Sequence, residues 1–369
     1  MTTMDYRATN PLSGEELVVR DEINEAIDSN RLLVLRTIDS LSNPVTQIDI
    51  TNEIDSIRQV VSTHLAVLQD RGFVNRDENK IELTAGGLLF LDAFDTCLEI
   101  LSEEELGLLT RSDYLLPILE ALTSEPYRVQ EFQTALDEPP SDSTIRRALS
   151  DFVEKDWVGG GRGEYQITDT GRQVLSAYTD LAESLTQLIE KAPWFQRLPP
   201  ENATVPIQAL ADAELTISNP SSPSSVLTTA LALYDRKVDR FRGMSSIYNS
   251  LLFKTYNKIQ QFNIGPNYEV IVDRPTFFKM LETTDFEYRV DDEDIDGDDP
   301  LVLDQSHTLG IGIYDERKVA IGAYNQFGRG QHIAMVVSTD DRIVEWAIDL
   351  YETYREQAKH PTELELAPY

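Results

Sequence analysis

The feature that most constrains the fold is an internal repeat at an offset of 84 residues. Ile81-Glu82-Leu83-Thr84 aligns with Tyr165-Gln166-Ile167-Thr168, and Gly72-Phe73-Val74 with Asp156-Trp157-Val158. The same offset carries Val61, Leu65 and Leu68 onto Ile145, Leu149 and Phe152, and Val34, Leu35 and Ile38 onto Ile118, Leu119 and Leu122, with no gap between. Apolar positions held in register over this length point to two copies of one supersecondary unit.

Within the first copy, Leu32, Leu35 and Ile38 recur at helical spacing until Ser42-Asn43-Pro44 interrupts them. A second short helix is expected over Gln47 to Ile54. Asp55 or Ser56 should cap a third, because Ser56-x-x-Gln59 has capping-box spacing and Ile57, Val61, Leu65 and Leu68 form an apolar stripe ending at Gly72. Phe73-Val74 and Ile81 to Leu83, separated by polar residues, read as a hairpin. A further helix is expected from Ala85 to Ser102. The second copy runs from Tyr114, with a third helix capped by Ser141 or Asp142 and a glycine-rich hairpin tip, Gly159 to Gly163. Three helices followed by a hairpin is the order of a winged helix-turn-helix, so the repeat predicts a tandem of that domain.

In such a domain the third helix enters the major groove and its N-terminal exposed residues meet base edges. Removing the buried stripe leaves Ser56, Arg58, Gln59, Ser62 and Thr63 in copy one and Ser143, Thr144, Arg146, Arg147 and Ser150 in copy two. Arginine can bind guanine with two hydrogen bonds, glutamine can bind adenine, and serine or threonine can reach either a base or a phosphate. Arg76 or Lys80 on the first hairpin and Arg162 on the second stand where a wing meets the backbone or minor groove. The expected partner is double-stranded DNA; the competing reading is a protein-interaction adaptor built from the same domains. A long helix from Thr170 to Lys191 carries Val174, Leu175, Tyr178, Leu181, Leu185, Leu188 and Ile189, an apolar face that either packs on its own winged helix and the next domain or, the favoured reading, pairs two copies of the chain into a homodimer.

Charge bears on that partner. The chain's 369 residues hold 64 acidic against 32 basic side chains, a net charge of −32, which ordinarily opposes nucleic acid. The acids are spread along the chain and arginine outnumbers lysine, 23 to 9. This is a pattern suited to molar salt, where the Debye length falls to about 3 Å and only close contacts survive. Net charge therefore does not exclude DNA. One cysteine, Cys97, leaves no disulfide within the chain and no cysteine-based zinc site. No apolar run is long enough for a membrane span, and a cytoplasmic location is expected.

Beyond Pro199-Pro200 strands and helices alternate. Strands are expected near Ala213 to Ile217, Gly243 to Ile247, Tyr268 to Val272, Leu309 to Tyr314, Val319 to Ala323 and His332 to Val337, with helices between them and a closing helix from Thr339 to Gln357. The alternation predicts an α/β domain with a mixed sheet. No nucleotide-binding glycine motif, nucleophile elbow or zinc-protease motif occurs, and no histidine begins an H-x-K sequence, so no catalysis and no cofactor are expected. Asp292-x-Asp294-x-Asp296-Gly297 resembles the start of a calcium loop, but its twelfth position is Leu303, and a solvated acidic loop is the better reading. Arg236, Lys237, Arg240, Arg242, Lys254 and Lys258 concentrate positive charge in an acidic chain. They either pair with nearby carboxylates, form a pocket for an anionic effector, or touch DNA. As an effector site the candidate residues are Arg236, Arg240, Arg242, Ser246 and Tyr248.

Through Arg242-Gly243-Met244-Ser245-Ser246-Ile247-Tyr248, Gly310-Ile311-Gly312-Ile313-Tyr314-Asp315, and Trp346 with Tyr354-Arg355-Glu356-Gln357-Ala358, the chain resembles an archaeal family of winged-helix transcriptional regulators. The family is named for the regulator of filamentation and methanogenesis. The resemblance implies a non-catalytic, phospholipase D-like second half that senses a small effector or sets assembly, related in character to the effector domain of TrmB-type regulators. The expected organisation is a tail over 1–20, winged helices over 21–104 and 108–192, an α/β domain over 200–360 and a tail over 361–369.

Overall fold

The computed structural model describes residues 6–41, 44–77, 79–161, 163–233, 238–253, 268–283, 300–324 and 332–364. The chain divides into two units, Met1–Ala192 and Pro193–Tyr369.

The first unit opens with a hairpin, β1 (Arg7–Asn10) and β2 (Glu15–Val18), and a helix, α1 (Val19–Asp28). This corrects the expectation of a tail over residues 1–20. Ala8, Asn10 and Leu17 are buried, and the Asn10 side chain donates to the Asp70 carbonyl at 2.8 Å. The first copy follows as α2 (Arg31–Ser40), α3 (Gln47–Glu53), α4 (Arg58–Asp70), β3 (Val74–Asp77), β4 (Lys80–Leu83) and α5 (Ala85–Leu98). After α6 (Glu103–Thr110) the second consists of α7 (Leu115–Ala121), α8 (Phe132–Ala135), α9 (Asp142–Glu154), β5 (Val158–Gly161), β6 (Glu164–Ile167) and α10 (Asp169–Glu190). The bounds of α4 and α9, β3 and β5, and β4 and β6 differ by 84 residues at both ends, and α5 and α10 start at the same offset.

The joints repeat atom for atom. Thr84 and Thr168 each cap the following helix by accepting a hydrogen bond from the glycine three residues on, Gly87 or Gly171, at 3.0 Å. Each hydroxyl also donates back to the turn that ends the third helix, to the Gly72 carbonyl at 2.7 Å and the Asp156 carbonyl at 2.6 Å. That turn needs a left-handed residue: Gly72 supplies it at φ 82°, and Asp156 takes φ 60° in the second copy.

Two local expectations are corrected. The cap of α4 is Ile57, which has no side-chain oxygen, so neither Asp55 nor Ser56 caps that helix. In the second copy Ser141 does cap α9, accepting from the Thr144 amide at 3.3 Å. The helix expected from Ala85 to Ser102 ends at Leu98, because the Ser102 and Glu105 side chains form a capping box that starts α6.

The apolar face of α10, expected to face a second copy, is buried within its own unit. Val174, Tyr178, Leu181, Leu185, Leu188 and Ile189 are buried, and α10 packs on α5, β1, α1 and α7. Cys97 of α5 is 2% exposed, and burial pushes its thiol up to about 11. At pH 8 the thiolate is therefore scarce. Modification by Ellman's reagent is expected to be negligible in the folded chain and complete after denaturation; fast labelling of the native protein would contradict this packing.

The second unit holds β7 (Glu214–Ile217), α11 (Ser225–Leu233), β8 (Phe241–Ser245), β9 (Tyr268–Asp273), α12 (Arg274–Thr283), β10 (Leu301–Leu303), β11 (Leu309–Tyr314), β12 (Lys318–Tyr324), β13 (His332–Ser338) and α13 (Asp341–Arg355). Its seven strands form one sheet in the order β10-β9-β8-β11-β12-β13-β7. β8, β9 and β10 are parallel and the remaining pairs are antiparallel, so the sheet is mixed. β8 starts at Phe241, two residues before the strand expected at Gly243. The second tail is corrected as well: Pro361 and Leu364 are buried.

Candidate nucleic-acid interface

The helices α4 and α9 present their polar residues as the apolar stripe requires. Val61, Leu65 and Leu68 face inward on α4, leaving Arg58, Gln59 and Thr63 exposed and Ser62 partly exposed. Ile145, Leu149 and Phe152 do the same on α9, leaving Ser143, Arg146 and Arg147 exposed and Thr144 partly so. The Gln47 amide donates to the Arg58 carbonyl at 2.8 Å, tying the start of α3 to the start of α4.

The ion pairs mark out this surface. Arg7, Arg20, Arg31, Arg36, Arg71, Arg111, Arg128 and Lys155 each lie within 4 Å of a carboxylate. Of the other described cations in the first unit, Lys191 is buried and bonded to Gln187, and Arg172 donates to the Thr123 carbonyl at 3.4 Å. That leaves the side chains of Arg58, Arg76, Lys80, Arg146 and Arg147 with neither an ion pair nor a hydrogen-bond partner among the described residues of the first unit. All five sit on α4, its hairpin β3–β4, or α9. In a chain with two acidic residues for each basic one, these cations of the first unit lie on two equivalent helices and a hairpin. Lys80 stands opposite Asp77 in the strand register. Arg162 lies outside the described residues.

In the second unit the basic residues are placed differently. Arg242 is 6% exposed, and its guanidinium meets Glu352 at 2.6 Å and Glu316 at 2.9 Å while resting over the Tyr351 ring. Arg240 shares the same Glu316 oxygen at 2.6 Å. Burial first, then Glu269, pushes the Tyr351 hydroxyl well above the usual tyrosine range. These two arginines tie β8 to α13 and to the turn after β11, so for both the structure shows the pairing with nearby carboxylates that was one of the three readings of this stretch. Ser246 is 1% exposed and accepts the His307 amide at 3.0 Å, and Tyr248 stacks on Phe253. Both are structural as placed. Arg236, Lys237, Lys254, Lys258 and the acidic loop with Asp292, Asp294 and Asp296 lie outside the described residues.

An internal space of about 100 Å³ does open on one face of the sheet, lined by Gly243, Gly310, Gly312 and Gly322 among aromatic and aliphatic side chains. Gly310 pairs across the strands with Gly322, and Gly312 with Gly243. The missing side chains make room for rings: a Cβ at Gly310 would overlap the Tyr324 hydroxyl, and one at Gly243 would lie 2.7 Å from the Phe241 ring. No sequence motif marks this space, and only the alternate glycines of β11 hint at it. Among the described residues no group of histidine, cysteine or carboxylate side chains could hold a metal, and no helix is long and apolar enough to cross a membrane.

Two family models match the chain. Residues 103–188 match the HVO_A0261 N-terminal domain, and residues 223–357 match the middle domain of the methanogenesis regulatory protein FilR1. These matches support an archaeal regulator family. The first match spans α6 and most of the second copy, and the second spans the elements from α11 to α13. Among solved structures, TrmBL2, an archaeal chromatin protein, is 13% identical over 67% of this chain and 93% of its own, with a TM-score of 0.29. A phospholipase D family member, Nuc from Salmonella typhimurium, is 12% identical over 40% of this chain and 98% of its own, with a TM-score of 0.28. No curated protein matches the chain.

Proposed function

We propose that the chain is a DNA-binding transcription regulator in which the two copies are tandem winged helix-turn-helix domains, α4 and α9 are the reading helices, and the C-terminal unit responds to a small molecule. The observation that carries this reading is that five cations of the first unit with no ion pair among the described residues, Arg58, Arg76, Lys80, Arg146 and Arg147, lie on the elements that such a domain lays on DNA. Phosphate and guanine contacts both need cations free of internal carboxylates, and these five carry no ion pair among the described residues. One chain offers two reading helices, so a two-part site needs no second copy. With the face of α10 buried, a dimer would have to form elsewhere.

For the sensing role, the glycine-lined space between β8, β11 and β12 replaces the basic stretch as the effector site. Its size suits a ligand of about the bulk of benzene, and its lining suits an uncharged, largely apolar one. This role is regulatory, in a sequence with no H-x-K motif to support phosphodiester chemistry. The charge of −32 adapts the protein to molar salt, and compaction and DNA binding both depend on that salt.

Chromatin immunoprecipitation with sequencing at native salt tests the reading. Discrete peaks sharing a motif are expected. A flat profile would overturn it in favour of an adaptor whose tandem domains bind other proteins.

A further inference from the structure

The two reading helices are equivalent in backbone and unlike in chemistry. At the 84-residue offset, Ile57 stands where copy two has Ser141, Val60 where it has Thr144, and Ser62-Thr63 where it has Arg146-Arg147. Ile57 is 71% exposed and Val60 42%; Ile48, at the start of α3 beside them, is 57% exposed. Three of the eight large apolar side chains exposed among the described residues thus gather at the joined starts of α3 and α4. Folding does not account for this. An N-cap isoleucine forgoes the hydrogen bond that Ser141 makes in copy two, and nothing among the described residues covers it.

The position indicates what does. The N-terminal residues of a reading helix meet base edges in the major groove, and the one apolar group displayed there is the C5 methyl of thymine. Three side chains are far fewer than the 20 or so residues a side of a stable protein interface. Among the described residues Arg58, next to Ile57 in sequence, carries no ion pair, and neither do Arg76 and Lys80 on the adjoining hairpin, so cations suited to phosphate stand by the patch alongside the carboxylates of Asp49 and Asp55. An apolar protein segment would need no such cations.

We infer that copy one reads thymine, Ile57 and Val60 packing on C5 methyl groups with Ile48 at their border, whereas copy two reads guanine through Arg146 and Arg147. The operator is then composite, with an A·T-rich part under α4 and a guanine-containing part under α9. This inference rests on the DNA-binding reading and names the bases that the first copy selects.

Deoxyuridine tests it, since it differs from thymidine only by the methyl group. The full chain is titrated in molar KCl against its selected duplex and against duplexes with individual thymines replaced. Removing a contacted methyl is expected to weaken binding about fourfold. A variant carrying Ile57→Ser and Val60→Thr, the residues of copy two, should bind thymine and uracil duplexes equally, while Arg146→Ala with Arg147→Ala should keep the preference for thymine. If the wild type binds both duplexes alike and the arginine variant still loses affinity, DNA binding stands and the thymine reading fails. If no duplex is bound by the wild type, the DNA-binding reading fails with it, and the patch belongs to a protein partner.

Discussion

Alanine at both Arg146 and Arg147 is expected to weaken operator binding by roughly 100-fold or more, with no change in Tm. Each well-placed arginine on a guanine contributes about 1–3 kcal/mol of discrimination, and two on one helix act within one half of the site. In molar salt the long-range attraction of phosphate is screened to a few ångströms, so affinity falls chiefly to direct hydrogen bonds, and an arginine fork loses little of its strength there. Both side chains are exposed and free of ion pairs among the described residues, which is why their removal should leave the fold intact. Lysine at the same two positions separates charge from shape: it restores phosphate attraction without the planar fork, so it should regain nonspecific binding and little sequence preference. Anisotropy titrations over a KCl series, with specific and scrambled duplexes, measure both. Wild-type affinity in the double alanine variant would remove α9 as a reading helix.

What the sequence made legible was local or periodic. The stripes Val61-Leu65-Leu68 and Ile145-Leu149-Phe152, the glycine at the end of α4 and the hairpins after each third helix could all be read from spacing, and the repeat doubled every such signal. Contacts that close over long distances were not legible. Arg242 meets Glu316 and Glu352, which stand 74 and 110 residues away along the chain, so of the cations that could be read as a ligand site Arg240 and Arg242 form internal pairs. The misjudged face of α10 has the same origin. Its cover includes β1, in a short polar segment with no apolar alternation that reads as a tail until Asn10 and Ala8 are found buried. Ile57 was missed for another reason: its apolar side chain fits the stripe of α4 on periodicity, and only its exposure shows that it faces away from the core.

Gly171→Ala should destabilise the first unit by about 3 kcal/mol, a sign opposite to what helix propensity gives. Alanine is normally the better helix former by up to about 1 kcal/mol, so an exposed helical glycine replaced by alanine should gain stability. At Gly171 the new Cβ would overlap the Trp157 carbonyl oxygen and lie 2.8 Å from Ile167 Cγ1, groups of the hairpin on which α10 begins. Relief requires the helix to move off the hairpin. That motion would stretch both the Thr168 amide bond to the Trp157 carbonyl, 2.9 Å, and the Thr168 hydroxyl bond to the Asp156 carbonyl, 2.6 Å. Gly87 meets the Phe73 carbonyl in the same way in copy one, so Gly87→Ala should cost a similar amount. Gly107 in α6 is the internal control, because a Cβ there meets nothing within 4 Å and Gly107→Ala should stabilise by roughly 0.5–1 kcal/mol. Denaturant midpoints followed by circular dichroism in molar KCl rank the three variants. Stabilisation by Gly171→Ala would mean that α10 does not rest on the β5–β6 hairpin, and the pairing of the two copies, on which the assignment of α9 as a reading helix depends, would lose its tightest shared joint.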